Sequence, residues 1–229
     1  MLEFLAALAV FILSHALPAR LGLRQRIAAA AGERTYLILY SLLSIALLAW
    51  LISAARRAPF IPLWDLQTWH YHVPLALMVL ASILFVGGAV SANPFSVTFS
   101  RAAWEPARPG LVGITRHPIL WAFALWSFAH VVPNGDLVSV IMFGGFGLFA
   151  IGGMAIVDRR KRRAMGDEWK RLAAGTSVIP FLALLRGRAS WRWKAMPLLV
   201  ALLGGVGLYG LLLHLHPLVF GVDPAAVLG

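Results

Sequence analysis

Seven histidines and no cysteine bound the chemistry open to this chain of 229 residues. Without cysteine there is no disulfide framework, iron–sulfur cluster, thiolate metal site or cysteine nucleophile. His15 and His130 each stand inside an apolar run, Leu2–Leu17 and Pro118–Pro133. A neutral imidazole there has a donor and an acceptor to satisfy, or it leaves a costly unpaired group. Two readings stay open: an interhelical hydrogen bond to a carbonyl, Ser or Tyr, or axial ligation of a haem iron. His117 sits at the edge of the second run, in Thr115-Arg116-His117-Pro118. Pro suits a first helical turn, and the backbone N–H groups there, beside Arg116, would suit an anion. A plain helix start with an interfacial Arg accounts for the same four residues. His70/His72 and His214/His216 are spaced two apart. On a helix such residues point away from each other, and no carboxylate or thiolate joins them. They read as solvated interfacial side chains rather than as a Zn or Cu site. No carboxylate pair lies in an apolar run, which argues against a proton-driven transporter.

The elements that must position these residues follow from composition. Hydrophobic residues make up 60% of the chain and charged residues 13%. A soluble domain would be roughly half apolar and a quarter charged, so an ordinary soluble enzyme is excluded. Six apolar runs are predicted as membrane spans: Leu2–Leu17, Tyr36–Ala55, Pro74–Ala92, Pro118–Pro133, Leu137–Val157 and Pro197–Phe220. A spanning helix needs about 20 residues, so the first and fourth are short and require tilt or a thin bilayer. None contains Lys or Arg, and Glu3 is their only acid. Arg20, Arg24, Arg26 and Arg34 follow the first run. Arg101, Arg108 and Arg116 lie between the third and fourth. Eleven basic residues, Arg159 through Lys194, lie between the fifth and sixth. Thus 18 of the 20 Lys and Arg fall in alternate loops, and only Arg56 and Arg57 fall on the other side. The positive-inside rule then predicts an all-α polytopic bundle in the inner (plasma) membrane, with six spans and both termini periplasmic. One domain covers residues 1–229. Glu3, with no Lys or Arg near it, argues against a cleaved signal peptide despite Leu17-Pro18-Ala19.

Asn134-Gly135-Asp136 is a turn signal that makes the fourth and fifth runs a tight hairpin. Asp158–Thr176 reads as a continuous helical extension of the fifth run, ending near Gly175. Residues 18–34 mix apolar and basic side chains at helical spacing, as in a helix lying along the inner interface. Arg159-Arg160-Lys161-Arg162-Arg163, directly below a span, is a patch for anionic membrane lipid, worth about 1 kcal/mol per residue, and not for nucleic acid. Trp64, Trp69, Trp104, Trp191 and Trp193 fall near the predicted interfaces. At 1.5 Å per residue, His15 lies about 18 Å below the outer boundary and, in a core of about 30 Å, about 12 Å above the inner one. His130 lies about 18 Å above the inner boundary and His117 at it. Helix tilt absorbs a difference of about 6 Å, so His15 with His130 is the better axial pair.

Ser14-His15, Gly32-Glu33-Arg34 with Tyr36, Leu63-Trp64, Asn93-Pro94, Thr115-Arg116-His117-Pro118, Leu125-Trp126 with Ala129-His130, Asn134-Gly135-Asp136, Asp158-Arg159-Arg160, Gly166 with Trp169, Thr176-Ser177 with Pro180-Phe181 and Gly187-Arg188 occur in this order. From about residue 14 to 188 the pattern resembles the NnrU family of bacterial inner-membrane proteins, with 197–220 as an added span. That family is associated with nitric oxide and nitrite reduction genes of denitrification. It is similar to zeta-carotene isomerase, which carries haem b and isomerises a cis double bond of a long polyene. The resemblance implies haem b with His15 and His130 as its axial ligands. It also implies either a lipophilic polyene substrate or a role linked to denitrification. Ser127 stands where the isomerase has a cysteine, three residues before its second histidine.

Arg116-His117-Pro118, Asp158-Arg159, Gly166, Trp169 and Pro180 are similar, more distantly, to membrane methyltransferases of the isoprenylcysteine type and to sterol reductases. This implies S-adenosylmethionine or NADPH at the inner face, with Arg116 and His117 binding it. Leu120 replaces the expected aromatic residue, and Asp158 the usual Glu. A non-catalytic assembly protein is the third expectation. No residue is assigned a catalytic role, and Arg34 and Trp64 carry the family pattern without an assigned one.

Overall fold

The structure is a computed structural model and describes residues 1–20 and 22–226; the side chains at 18–20 and 24, Arg20 and Arg24 of the first basic loop among them, lie outside the described residues. The described residues form ten helices and no β-sheet: α1 Leu2–Arg20, α2 Leu23–Ala31, α3 Glu33–Arg57, α4 Thr68–Val90, α5 Leu111–Ile114, α6 Pro118–Asn134, α7 Leu137–Met165, α8 Asp167–Ala173, α9 Leu182–Leu185 and α10 Ala195–Phe220. Four of them, α3, α4, α7 and α10, with 25, 23, 29 and 26 residues, are long and apolar enough to cross a membrane. The apolar part of α1, Leu2–Leu17, is shorter, and α6 has 17 residues.

The chain divides into two compact units, Met1–Leu63 with Asp136–Met142, and Trp64–Gly135 with Phe143–Gly229. In the first, α1 packs on α3. Phe4, Ala7, Leu51 and Ala54 are buried. Glu3 accepts from Arg57 at 2.5 Å and from the Trp50 indole at 3.3 Å, joining the start of α1 to the end of α3. The chain after α3 meets the start of α7 through Leu137 N–H donating to the Ile61 carbonyl at 2.9 Å. Asp136 caps α7, its carboxylate accepting from Ser139 N–H at 3.1 Å.

In the second unit α4 packs on both α6 and α10. Glycine makes these contacts close. A Cβ built at Gly205 would lie 2.6 Å from the Ile83 Cα, and one at Gly88 would lie 2.8 Å from Ile119 Cγ1. Small residues allow membrane helices to approach in this way. Rings of α6 and α7 also meet, Trp126 with Phe143 at 5.6 Å between centroids.

Two local expectations change. The extension of the fifth run is not one continuous helix. α7 stops at Met165, and Gly166, at φ +57°, starts the separate α8. Only glycine adopts that backbone without strain, so the chain turns there, well before Gly175. The turn expected at Asn134-Gly135-Asp136 is present: α6 ends at Asn134, Gly135 at φ +65° closes it, and α7 starts at Leu137. His70 is not a solvated side chain either: it is buried, and its Nδ1 accepts from Gln67 N–H at 2.8 Å in the cap of α4.

Gly205→Ala is expected to destabilise by about 1–3 kcal/mol, because a methyl group must displace backbone. Gly144 has open space around its Cβ position, so Gly144→Ala should leave the unfolding midpoint in detergent unchanged. Equal midpoints for both variants would refute close packing of α4 on α10.

Candidate functional site

The second unit gathers its polar side chains where the loop after α4, the start of α6 and the end of α7 meet. Asn93 organises the loop. Pro94 has no N–H to offer, so the Asn93 carboxamide oxygen accepts from Phe95 N–H at 2.9 Å and Ser96 N–H at 3.2 Å. Its amide donates to the Arg116 carbonyl at 2.9 Å. The segment before α6 runs beside residues 177–181. Arg116 N–H donates to the Ser177 carbonyl at 2.8 Å, and Phe181 N–H to the Ile114 carbonyl at 2.9 Å. The Val178 carbonyl accepts from Thr115 Oγ1 at 2.8 Å and from the Trp121 indole at 2.9 Å. Trp121 lies one turn into α6, so this carbonyl fixes where the helix begins.

Asp158 of α7 bridges the two residues ahead of Pro118. One oxygen lies 3.0 Å from an Arg116 terminal nitrogen, and the other accepts from His117 Nε2 at 3.0 Å. The second ring nitrogen of His117 is 2.9 Å from Ser96 Oγ. In the Nε2–H tautomer, Nδ1 accepts from that hydroxyl. His117 has no exposed surface, and the Arg116 and Asp158 side chains are only 12% and 15% exposed. Burial pushes the Arg116 guanidinium below its usual range; Asp158 opposes this, while Arg188 and Arg162 add to it. The guanidinium also lies over the Trp169 ring at 5.2 Å, and Arg162 lies over the same ring at 5.3 Å. With both ring nitrogens engaged inside the protein, His117 holds Asp158 and through it Arg116. Arg116 lines a recess of about 300 Å³ with Trp169, Lys170, Thr176, Ser177 and Arg188.

His15 belongs to the first unit and His130 to the second. Their local arrangements match. His15 Nδ1 lies 2.7 Å from the Phe11 carbonyl, and His130 Nδ1 lies 2.7 Å from the Trp126 carbonyl, each four residues back. A carbonyl only accepts, so Nδ1 carries the proton and Nε2 the lone pair. That is the tautomer of a metal-ligating histidine oriented by a backbone carbonyl. Aromatic rings flank both: Phe11 at 4.4 Å and Tyr40 at 5.7 Å from His15, and Trp126 at 5.2 Å and Phe143 at 5.1 Å from His130. The residues therefore fit haem ligation in donor type, tautomer and apolar surroundings. Among the described residues no group of three or more His, Asp or Glu is placed to hold a metal ion.

Sequence spacing missed one neighbour of His130. The His216 ring of α10 lies 6.5 Å from it, centroid to centroid. Ser127, one turn earlier on α6, has a buried hydroxyl without a hydrogen-bond partner. Ser96 and Trp169 were likewise unassigned; only the chain path around Asn93 and the break at Gly166 brings them to Arg116 and His117.

The sequence profile described as NnrU protein matches residues 3–224. The chloroplastic 15-cis-zeta-carotene isomerase of Arabidopsis thaliana is 33% identical over 85 residues, 37% of this chain and 22% of that protein. Its counterpart in Zea mays is 34% identical over 85 residues, with the same coverage. The matching segment thus spans about a fifth of these curated relatives. No solved structure matches the chain.

Asp158→Ala leaves Arg116 buried without its carboxylate and His117 without its acceptor. It is expected to destabilise by about 3 kcal/mol or more. Asp158→Asn keeps an acceptor for His117 and should cost less. Unfolding midpoints in one detergent check the order, and an Asp158→Ala midpoint equal to the parent's would show that the bridge sustains nothing.

Proposed function

Because the chain belongs to the NnrU family, we propose that this membrane protein binds haem b through His15 and His130 and isomerises a cis double bond of a lipophilic polyene of the zeta-carotene kind. The observation that carries the reading is the matched tautomer of the two histidines, each in an apolar helix with Nδ1 held by the carbonyl four residues back. The relatives named for 15-cis-zeta-carotene supply the substrate class. Isomerisation is redox-neutral overall and needs no polar co-substrate, which suits a chain that is 60% hydrophobic. Bound haem would supply an iron able to exchange electron density with a double bond. The protein's part is to hold both Nε2 atoms in the ligating tautomer. The rings of Phe11 and Tyr40 beside His15, and of Trp126 and Phe143 beside His130, with Phe146 stacked on Trp126, exclude water and offer apolar surface. Ser127 lies on the same face of α6 as His130, one turn away.

The same reading places six spans in an inner membrane with both termini outside. α1 and α6 cross as short or tilted helices beside the four long ones, and the loop charges set the direction.

Purified from haem-replete cells, the protein should show a stoichiometric six-coordinate b-type spectrum, oxidised and reduced. In His15→Ala and His130→Ala the spectrum should be lost or turn high-spin. With haem present, 15-cis-zeta-carotene should change its isomer ratio on chromatography. A colourless parent protein would sink the haem reading. The cysteine-free chain also permits a direct topology test. A membrane-impermeant maleimide should label Leu66→Cys in intact cells and label Arg186→Cys only after lysis. The reverse pattern would invert the orientation.

A further inference from the structure

The recess beside Arg116 plays no part in the haem reading. Three of its lining side chains are cationic, Arg116, Lys170 and Arg188, and two are hydroxyls, Thr176 and Ser177. No carboxylate lines it. Both oxygens of Asp158 are taken by Arg116 and His117. Asp167 pairs with Lys170 at 2.7 Å from an exposed position, where water and salt weaken the pair. The recess is therefore electropositive.

Two further donors are left over in its wall. Arg116 Nε and Trp169 Nε1 are buried, and neither has a hydrogen-bond partner. An unmade hydrogen bond at a buried N–H is costly, and native interiors leave few. Both atoms belong to side chains that line the recess and stack on each other. An acceptor group seated there would use them. The Thr176 hydroxyl donates to the Ala173 carbonyl and one Arg188 terminal nitrogen to that of Ala174; the donors left over belong to Arg116, Lys170, Arg188, Ser177 and Trp169, three of them cationic, so the partner they suit is an anion with several oxygens. A phosphate group fits better than a carboxylate. It brings three outward oxygens to an Arg fork, a second Arg and a Lys. The volume of about 300 Å³ leaves room for more of the ligand than its phosphate.

We propose that this recess is a binding site for a phosphate-bearing ligand, with Arg116 and Trp169 as its buried floor and Lys170 and Arg188 as its exposed rim. Asn93, Ser96, His117 and Asp158 are positioning residues. They hold the backbone and guanidinium of Arg116 so that one terminal nitrogen stays on Asp158 and the rest of the fork serves the ligand. The phosphate comes either from a soluble phosphomonoester or from a phospholipid headgroup, and the two sources differ in whether binding needs a bilayer.

The full chain is used in both arms. Delipidated protein in neutral detergent is titrated with glycerol 3-phosphate, at constant ionic strength and with chloride as control. Protein in nanodiscs is compared in phosphatidylglycerol and in an uncharged glycolipid by thermal unfolding. Lys170→Gln and Arg188→Gln remove exposed rim charges, and each variant's unfolding midpoint without ligand is measured beside the parent's. Arg101→Gln is the control, an exposed cation of the loop after α4, outside both the recess and the basic stretch of α7. Saturable binding of glycerol 3-phosphate, weakened about tenfold by each rim variant and unchanged by Arg101→Gln, supports a soluble ligand. Stabilisation by phosphatidylglycerol alone, lost in the rim variants and kept in Arg101→Gln, supports a headgroup. No response in either arm overturns the site. So does a response that all three variants diminish equally, since that is general surface charge.

Discussion

The carboxylate of Asp158 is the constraint on which the second unit's loop end depends. Few charges are present in this chain, and a buried one must be matched. Asp158 meets two partners that are adjacent in sequence, Arg116 and His117, one on each oxygen. Because Pro118 follows at once as the first residue of α6, the bridge fixes where that helix starts against α7. His117 passes the constraint on to Ser96, and Asn93 passes it to the Arg116 carbonyl. Five polar side chains from three stretches of chain thus share one network. Such a network is stable only when complete, because a buried charge deprived of its partner costs more than the pair contributes.

This arrangement also sorts the residues of the Thr115–Pro118 segment by role. Thr115 gives its hydroxyl to the Val178 carbonyl. His117 is enclosed with both nitrogens used. Pro118 starts the helix. Arg116 alone keeps donor capacity directed away from the network. A residue type that suggests acid–base chemistry is here a brace, and the cation beside it is the group with something left to bind. Geometry separates the two where composition cannot, since an Arg-His dipeptide before Pro is compatible with either assignment.

Much of the architecture was legible from the sequence because apolar runs and loop charges are strong signals. The four long helices and the turn at Gly135 follow from residue type and spacing. The break at Gly166 was missed because the periodic pattern continues through it, and a single glycine in a helical pattern is weak evidence of an end. His70 was misread as solvated because a capping role depends on Gln67 three residues earlier and on the path of the preceding loop. Ser96, Trp169, Thr176 and Ser177 were not assigned to a site for a related reason. Thr176 and Ser177 are placed beside Arg116 by hydrogen bonds between segments about 60 residues apart, such as Arg116 to Ser177 and Thr115 to Val178; Ser96 is placed by the loop around Asn93 and Trp169 by the break at Gly166. No local pattern encodes those.

Polar groups in the apolar helices follow a different rule from those at the loop end. Ser14 donates to the Phe11 carbonyl, His15 to the same carbonyl, His130 to that of Trp126 and Asn134 to that of His130. Each satisfies itself on its own helix within one turn. In a low-dielectric surrounding this removes one polar atom from each side chain's needs and leaves the remainder to be met from outside the helix. For serine the remainder is small. For histidine it is a basic nitrogen with a fixed direction. Self-satisfaction therefore does not silence the two histidines; it selects Nε2 as the atom that any partner must meet, and it does so for His15 and His130 by the same local device. The loop end, by contrast, spends its histidine on the fold and leaves a guanidinium and an indole with N–H groups unmet.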